Sequence, residues 1–545
     1  MSDEKITITV DGVEHQVTPG VQLIEALKEC AVDTPHFCYH PDLSIAGNCR
    51  MCLVEAEGPR GPALMISCHM RVMPGLKVNT DASSERVRKA RQGVMEFLLV
   101  NHPLDCPICD KAGECTLQEN YMEAGRHESR LEDAVGKVYK GAPDFRFTDT
   151  KGQDRGGKNV DLGDTISLDQ ERCILCSRCV RFMREVAGDE QLYIAGRGDT
   201  AYLTTFPGDK LKHDYDLCTT DICPVGALTG KHFRFQQRVW FLKKTESIAP
   251  DDSLGANITV EHNKDRVWRL MPRRNVDVNK SWIHNDTRLL YQGLAENRLT
   301  TALVDGSVAT LSAGYQAAAA AVKKANKVAL VASGHLTLED NQALVALAEA
   351  LGDKAEVFGG SWLPVAEGDG IARSGDPVAN RRSCELLGIA DNLDQLTARS
   401  EEFDCLVVMG NDLWGAAAAK AAALESIAAR IVLSSWHDDS VAKATVAIGV
   451  RCWAEVRGVF INCQDRAQLL NACPVCPAHE MDPPWQALCR LSGLAADRPL
   501  PYAGELDALK AAGQRHESLR GLSYRAIGPS GVALVPAAEA AEASA

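Results

Sequence analysis

The chain has 545 residues, which is too long for one hydrophobic core and indicates several domains. Its formal net charge of −14 argues against a nucleic-acid partner, because binding phosphate requires a basic surface. No run of about 18 apolar residues occurs, so no membrane-spanning helix is expected. The acidic, polar start lacks the features of a secretory signal or a transit peptide, and a reducing cytoplasm is the expected location.

Twenty cysteines in such a compartment need an explanation other than disulfides. Thirteen of them fall within residues 30–223, most of them at short spacings, and seven are scattered from Cys384 onward. The sequence therefore divides near residue 240 into a cysteine-rich part and a part rich in alanine and valine.

The first predicted elements are a β-hairpin, "KITITVDGVEHQVTPG", and a short amphipathic helix, "VQLIEALKEC". This start resembles the β-grasp fold of plant-type ferredoxins. A loop with three cysteines and a distant fourth follow, as in plant-type [2Fe–2S] sites; they are Cys38, Cys49, Cys52 and Cys68. The first gap is ten residues rather than four, so the pattern is a variant, and a four-cysteine zinc site is the alternative. Gly47 would let the backbone approach the sulfides.

The second cysteine group follows a helix predicted over residues 84–100, with Val87, Val94, Phe97 and Leu98 on one side. Pro103 ends this helix. The stretch "NHPLDCPICDKAGEC" then supplies one histidine and three cysteines: His102, Cys106, Cys109 and Cys115. This spacing alone is compatible with either zinc or iron.

The third group is "CILCSRC" and a later "CPVGAL", which supply Cys173, Cys176, Cys179 and Cys223. C-x2-C-x2-C with a Cys-Pro is typical of a [4Fe–4S] site in bacterial ferredoxins. In the usual run a fourth cysteine would stand at Met183, so the remote Cys223 must complete the set, and one cluster forms. Cys218 is then a spare cysteine, expected to pack in the interior or to remain a free thiol.

These three modules, in this order, resemble the large iron–sulfur subunit of respiratory complex I, the NADH-quinone oxidoreductase family whose mitochondrial counterpart is the 75-kDa subunit. The resemblance implies one [2Fe–2S] and two [4Fe–4S] clusters, with His102 as an iron ligand. It also implies a peripheral subunit on the cytoplasmic face of the bacterial inner membrane. Its expected partners are the flavin subunit that binds NADH, other iron–sulfur subunits and, indirectly, the membrane arm.

Two alternatives are a diaphorase-type electron-transfer subunit of an NAD-linked hydrogenase or formate dehydrogenase, and a zinc-stabilised scaffold without enzymatic function. The sequence has no Walker motif and no G-x-G-x-x-G after a predicted strand, so no flavin or NAD is expected in this chain. The C-terminal part is shorter than the active molybdenum enzymes it resembles and has no convincing Cys or Ser as a metal ligand, so no molybdopterin is expected either. It carries redox centres without a substrate site, and no catalytic residue is predicted. We therefore expect it to relay electrons from the flavin subunit towards quinone.

The predicted architecture is multidomain α/β. The expected domains are a β-grasp [2Fe–2S] domain (1–83), a one-His/three-Cys [4Fe–4S] segment (84–123), a ferredoxin-like [4Fe–4S] domain (124–240), a degenerate 4Fe–4S domain (241–300), and a truncated, non-catalytic molybdopterin-oxidoreductase-like domain (301–545). In the last domain, "KVALVASG", "DCLVVMGND" and "RIVLSS" are predicted strands of a doubly wound parallel sheet. "EVRGVFINCQDRAQ" resembles a motif of the same superfamily.

The degenerate domain resembles a segment in which some relatives bind an additional [4Fe–4S] cluster. The four ligand positions of that pattern fall here on Ala249, Asp252, Ala256 and His284. Alanine offers no donor atom, so no cluster is expected. A last group, Cys463, Cys473, Cys476 and Cys489, is irregularly spaced, and free thiols are favoured there over a metal site.

Overall fold

The structure is a computed structural model that describes residues 5–58, 61–125, 157–198, 201–473, 481–496 and 498–534. The chain separates into two compact units, Met1–Phe241 and Leu242–Ala545. The first unit contains the three cysteine groups, and the second contains the alanine- and valine-rich part.

The first unit begins with a five-stranded sheet and one helix. In chain order the elements are β1 Ile6–Val10, β2 Val13–Val17, α1 Leu23–Glu29, β3 Leu53–Gly58, β4 Gly61–Ile66 and β5 Lys77–Asn79. The spatial order is β2-β1-β5-β3-β4, and only β1 and β5 pair in parallel. The predicted hairpin is confirmed, since Asp11 and Gly12 turn it with φ angles of 51° and 84°. Leu23 and Leu27 pack α1 onto the sheet and are fully buried.

Two helices carry the second cysteine group. They are α2 Glu85–Asn101 and α3 Thr116–Ala124, with a 3-10 turn at Cys106–Ile108 between them. The predicted helix is confirmed, and Ser84 caps it by accepting a hydrogen bond from the Val87 amide. The predicted apolar stripe is wrong at Phe97, which is 75% exposed. The buried face runs through Val87, Arg91 and Met95 at four-residue spacing, because Arg91 turns inward to donate to a carbonyl of β3.

The third part of this unit consists of short strands and two helices. In chain order they are β6 Val160–Asp161, β7 Ile166–Leu168, α4 Arg178–Glu185, β8 Tyr193–Ala195, β9 Tyr202–Thr204, α5 Cys218–Ile222 and β10 Leu228–Gly230. β10, β7 and β6 form one antiparallel sheet, and β8 pairs with β9 as a separate hairpin. Leu175 and Ser177 have φ angles of 53° and 63°, so the cysteine loop turns sharply before α4 begins.

The second unit opens with a three-stranded antiparallel sheet and a short helix. These are β11 Lys243–Ile248, β12 Asn257–Asn263, β13 Arg266–Pro272 and α6 Asn285–Leu289. β12 is the central strand. The connection from β11 to β12 is the segment 249–256, where the additional cluster pattern falls.

A seven-stranded sheet forms the centre of the second unit. Its elements are β14 Ala302–Val304, β15 Ser307–Ala309, α7 Leu311–Lys324, β16 Val328–Val331, α8 Leu338–Leu351, β17 Ala355–Phe358, α9 Arg381–Leu386, α10 Leu393–Ala398, β18 Cys405–Met409, α11 Leu413–Ala421, β19 Ala429–Ser434, α12 Asp439–Lys443 and β20 Val446–Gly449. The order is β15-β14-β20-β19-β18-β16-β17, with β20 to β17 all parallel. Val328 and Leu330 face one core and Ala329 and Val331 the other, so both faces of the sheet are covered. The three predicted strands are confirmed.

The described chain ends with a small sheet and three helices. They are β21 Gly458–Ile461, β22 Arg466–Leu470, α13 Pro484–Ala495, α14 Glu505–Arg515, α15 Tyr524–Ile527 and β23 Val532–Ala533. Helices α13 and α14 contribute Leu488 and Leu509 to the same core as α7 and α8. The mixed α/β content predicted from the sequence is therefore present in both units.

Candidate iron–sulfur sites

The first four candidate ligands lie in two pairs. The thiol of Cys49 bonds to Cys38, and that of Cys68 bonds to Cys52. These bonds lower the pKa of Cys38 to about 5 and that of Cys52 to about 6. A [2Fe–2S] cluster needs two thiolates on each of its two irons, and a two-by-two grouping provides them. A zinc ion would instead need all four sulfurs around one point.

The backbone of the same loop points its amides at the sulfur atoms. The amides of Asn48 and Cys49 donate to Cys38, and the amide of Met51 donates to Cys49. Gly47 has a φ of 62°, and a Cβ there would lie 3.1 Å from the Ile66 side chain. A side chain would therefore be both strained and crowded at position 47. Such amide donors stabilise negative charge on the sulfur atoms and therefore raise the reduction potential of a bound cluster.

The third group surrounds an internal cavity. Its four candidate ligands, Cys173, Cys176, Cys179 and Cys223, all line the wall, together with apolar residues that include Ile194, Leu203 and Val225. Burial raises the pKa of the Cys173, Cys176 and Cys179 thiols, and a bound metal would favour their thiolate form. Arg178 and Ser177 also line the cavity. Four thiols on one wall match the ligand requirement of a cubane cluster, which is one ligand per iron.

Cys218 lies apart from this cavity. It is the first residue of α5 and is fully buried, but it is not among the cavity-lining residues in the described part of the chain. Cys223 stands at the other end of α5, in extended backbone before Pro224. The local geometry therefore supports Cys223 as the fourth ligand and Cys218 as an interior packing residue.

The second group is assembled around the ends of α2 and α3. His102 is the C-cap of α2, with extended backbone before Pro103, and Cys115 is the N-cap of α3. Burial raises the pKa of Cys109 and raises that of Cys115 to about 11. The Cys109 thiol interacts electrostatically with both Cys106 and Cys115, so the structure brings the three cysteines together. Their arrangement is compatible with a cluster site that His102 would complete.

A glycine allows close approach to this site. A Cβ on Gly226 would lie 2.3 Å from the Cys109 sulfur, so any side chain there would displace the sulfur. Gly226 follows Cys223 by three residues, and the third group thus contacts the second. The Thr116 hydroxyl also donates to the Pro224 carbonyl at 2.9 Å. Sequence spacing gave no sign of this contact.

The third group also contacts the first. The Asn48 side-chain amide donates to the Leu175 carbonyl at 3.4 Å, and the Ser44 hydroxyl donates to Glu185 at 2.6 Å. Arg178 and Arg181 of α4 add further bonds to the first cysteine loop. The third candidate site therefore contacts both of the other two sites.

Among the described residues, no three His, Cys, Asp or Glu side chains lie close enough together to share one metal ion. No helix in the described ranges is long and apolar enough to cross a membrane.

In the second unit, the segment with the additional cluster pattern is filled by protein atoms. Ala249 and Ala256 are buried in an apolar core with Ile258 and Ile283. Asp252 is 4% exposed, and its carboxylate accepts hydrogen bonds from the amides of 254, 374 and 375 and from a serine hydroxyl. His284 caps α6 by accepting from the Asp286 amide. Asp252 thus binds a neighbouring loop of the same unit.

Replacing Asp252 by alanine should destabilise the second unit. Four donors would lose a buried charged acceptor, and we expect the free energy of unfolding to fall by about 2–4 kcal/mol. Seven of the eight tryptophans lie in this unit, so urea unfolding followed by tryptophan fluorescence reports on it. Asp265→Ala, at an exposed turn between β12 and β13, is the control. Equal stability of the two variants would contradict the proposed role of Asp252.

The remaining cysteine group is not brought together as a set. Cys473 packs in the core with Ala249, whereas Cys489 packs against the core of α7 and α8. Cys463 is exposed, and its amide donates to the Ser253 carbonyl at 2.8 Å. Cys476 lies outside the described residues.

Four family models match the chain in order. They are a 2Fe-2S iron-sulfur cluster binding domain (3–83), the NADH-ubiquinone oxidoreductase-G iron-sulfur binding region (91–130), the NADH-quinone oxidoreductase subunit 3 ferredoxin-like domain (163–229), and the NADH-ubiquinone oxidoreductase NDSU1/NuoG-like 4Fe-4S domain (242–292). The matched regions thus include iron–sulfur-binding domains of both the 2Fe-2S and the 4Fe-4S type. Over these regions the chain is similar to the large iron–sulfur subunit of NADH-quinone oxidoreductase, which confirms the resemblance seen in its motifs.

Curated relatives agree with this assignment. The mitochondrial NADH-ubiquinone oxidoreductase 78 kDa subunit of Candida albicans is 41% identical over 57% of this chain and 42% of its own length. The NADH dehydrogenase [ubiquinone] iron-sulfur protein 1 of Solanum tuberosum is 43% identical over 56% of this chain and 38% of its own length. The NADH-ubiquinone oxidoreductase 75 kDa subunit of Reclinomonas americana is 40% identical over 55% of this chain and 40% of its own length. The aligned region spans about two fifths of each relative.

Among solved structures, a chain from the crystal structure of NAD+-reducing [NiFe]-hydrogenase in the H2-reduced state is 30% identical, with a TM-score of 0.34. The match covers 43% of this chain and 91% of that chain.

Proposed function

We propose that this chain is the iron–sulfur electron-transfer subunit in the peripheral arm of a proton-pumping NADH:quinone oxidoreductase. The observation that carries the proposal is the run of three cysteine-rich sites in contact with one another inside one compact unit. The names of the curated relatives support it, and they do not favour the hydrogenase or formate dehydrogenase alternative. The proposed location is peripheral, on the cytoplasmic face of a bacterial inner membrane.

Each site has a proposed ligand set. The sets are Cys38, Cys49, Cys52 and Cys68 for [2Fe–2S]; His102, Cys106, Cys109 and Cys115 for one [4Fe–4S]; and Cys173, Cys176, Cys179 and Cys223 for the other. Bound clusters would supply one-electron carriers. The protein holds their ligands on short loops, directs amides at sulfur and surrounds the third site with apolar side chains. These features keep water from the third site and fix the separation between neighbouring sites.

The contacts between sites support an order of transfer. The third site touches both of the others, through Leu175 and Glu185 on one side and through Pro224 and Gly226 on the other. We place it as the middle relay between the [2Fe–2S] site and the site of His102. Electrons from the flavin subunit would enter at one outer site and leave from the other towards quinone.

The second unit is proposed to be a scaffold without its own redox centre. Its doubly wound sheet is compatible with a reduced molybdopterin-oxidoreductase-like domain over residues 301–545, following a degenerate 4Fe–4S domain over 241–300. Buried Ala249 and Ala256 offer no ligand atoms, and the carboxylate of Asp252 is occupied by backbone donors. We therefore propose that this segment binds no cluster.

Iron content tests the ligand sets and the missing cluster together. The full chain, purified anaerobically, should contain about ten irons and no stoichiometric zinc, because one [2Fe–2S] and two [4Fe–4S] clusters fill the proposed sites. Elemental analysis by mass spectrometry measures both metals. About fourteen irons would contradict the cluster-free segment, and abundant zinc with little iron would overturn the electron-transfer function.

The complex itself is tested by affinity purification of the tagged full chain from membranes. We expect a flavin subunit and membrane subunits to accompany it. Recovery of a hydrogenase or formate dehydrogenase catalytic subunit in their place would favour the alternative function.

A further inference from the structure

Two buried arginines of α4 reach from the third cysteine group to the first. Arg178 is 9% exposed and Arg181 is 5% exposed. Arg181 donates to the carbonyls of Cys38 and Ser44, and so holds the start of the first cysteine loop. Both arginines lie within the short motif that also supplies Cys176 and Cys179.

Arg178 bonds beside one candidate ligand of each site. Its guanidinium donates to the Ile222 carbonyl at 3.1 Å and to the Tyr39 carbonyl. Ile222 directly precedes Cys223, and Tyr39 directly follows Cys38. One side chain thus links the backbone next to a ligand of the [4Fe–4S] site with the backbone next to a ligand of the [2Fe–2S] site.

The charge of Arg178 has no carboxylate to balance it among the described residues. Its hydrogen bonds go to neutral carbonyls, and its Nε is buried without a hydrogen-bond partner there. Burying an unpaired charge costs several kcal/mol, so a compensating negative group is expected nearby. Four candidate ligands lie close enough to interact electrostatically with the Arg178 guanidinium; they are Cys176, Cys223, Cys38 and Cys49. These four cysteines are drawn from both candidate sites.

We propose that Arg178 is a positioning residue shared by the two adjacent sites, which fixes their separation and raises the midpoint potential of both clusters. The inference rests on the proposed function, because it requires clusters at both sites. A guanidinium remains protonated at all working pH values. Its positive charge favours the more negative, reduced state of any nearby cluster. One residue would therefore raise the midpoint potentials of both adjacent clusters.

The test is a redox titration of the full chain, monitored by EPR, in three variants. Arg178→Gln removes the charge, Arg178→Lys keeps it, and Arg184→Gln removes an exposed arginine of the same helix as a matched control. We expect Arg178→Gln to shift the reduction equilibrium of both clusters about tenfold towards the oxidised state, where tenfold corresponds to 59 mV for a one-electron couple. Arg178→Lys should shift each by less than about threefold, and Arg184→Gln should leave both unchanged.

Iron analysis separates failure of this inference from failure of the function. A wild-type chain without iron would overturn both. Wild-type iron content with unshifted potentials in Arg178→Gln, or a shift of one cluster alone, would overturn only the shared role of Arg178. If Arg178→Gln loses its clusters, Arg178→Lys decides: near-wild-type potentials for both clusters support the proposal. Loss of iron from Arg178→Lys as well would show that Arg178 is needed only for the structure of the sites, and this would overturn the proposed effect of its charge.

Discussion

Cys223→Ala should remove one [4Fe–4S] cluster from the chain, whereas Cys218→Ala should leave every cluster in place. The expected loss is about four irons, roughly two fifths of the total. If the third site is the middle relay, electron transfer from NADH to quinone in the assembled complex should fall to background as well. No other single cysteine change separates the two candidate fourth ligands so directly.

The physical reason lies in the two ends of α5. Cys223 is on the cavity wall with Cys173 and Cys176, so its loss would leave one iron without its protein ligand. Cys218 is fully buried on the same short helix but is not part of that wall. Alanine is the right replacement, because a serine oxygen could still bind iron. At Cys218 alanine removes only a small buried sulfur, and we expect a stability loss of about 1 kcal/mol.

Iron analysis and low-temperature EPR of the two anaerobically purified variants provide the measurement. Cys218→Ala is the matched control, since it makes the same change at the other end of α5. A Cys223→Ala chain with full iron content and unchanged spectra would disprove the assignment of the fourth ligand. Loss of the cluster from Cys218→Ala with its retention in Cys223→Ala would exchange the two roles.

Local features of the fold could be read from the sequence because they depend on neighbouring residues. The first hairpin follows from the alternation of apolar and polar residues on both sides of Asp11 and Gly12. The helix over 84–100 follows from the helical spacing of its apolar residues and from its Ser84 cap. The parallel strands near Val328 and Cys405 are short apolar runs, as expected for a sheet covered on both faces. The prediction for Phe97 was wrong because a buried arginine, which periodicity counts as polar, occupies the inner face of that helix.

The candidate sites were predictable only as separate groups. Cysteine spacing defines each set, but no spacing rule indicates that the third group contacts both of the others. Those contacts are long-range, as in the close approach of Gly226 to Cys109 and the bonds of Arg178. Gly226 can be seen in the sequence shortly after the Cys-Pro pair. Only the three-dimensional structure shows that a side chain at this position would collide with the Cys109 sulfur. The same holds for Asp252, whose partner Ser374 lies 122 residues further along the chain.

The second large effect is expected at His102. His102→Cys should retain a [4Fe–4S] cluster and lower its midpoint potential, because a thiolate adds a negative charge where imidazole is neutral. In Rieske centres two histidines replace two cysteines, and the reduction potential is several hundred mV higher than in all-cysteine ferredoxins. A single replacement should therefore change the potential by on the order of 100 mV. His102→Ala should leave one iron without a protein ligand and yield a labile cluster.

The position of His102 makes this test interpretable. Pro103 disfavours helical backbone at the preceding residue, so α2 ends and His102 becomes its C-cap with extended backbone. Substitution there changes a side chain after the helix has ended and should cost little stability. Redox titration monitored by EPR measures the potential, and His15→Cys on β2 serves as a control for an added thiol. If neither His102 variant alters the EPR signal or potential of any cluster, His102 is not a ligand, and the second site must draw its fourth ligand from elsewhere.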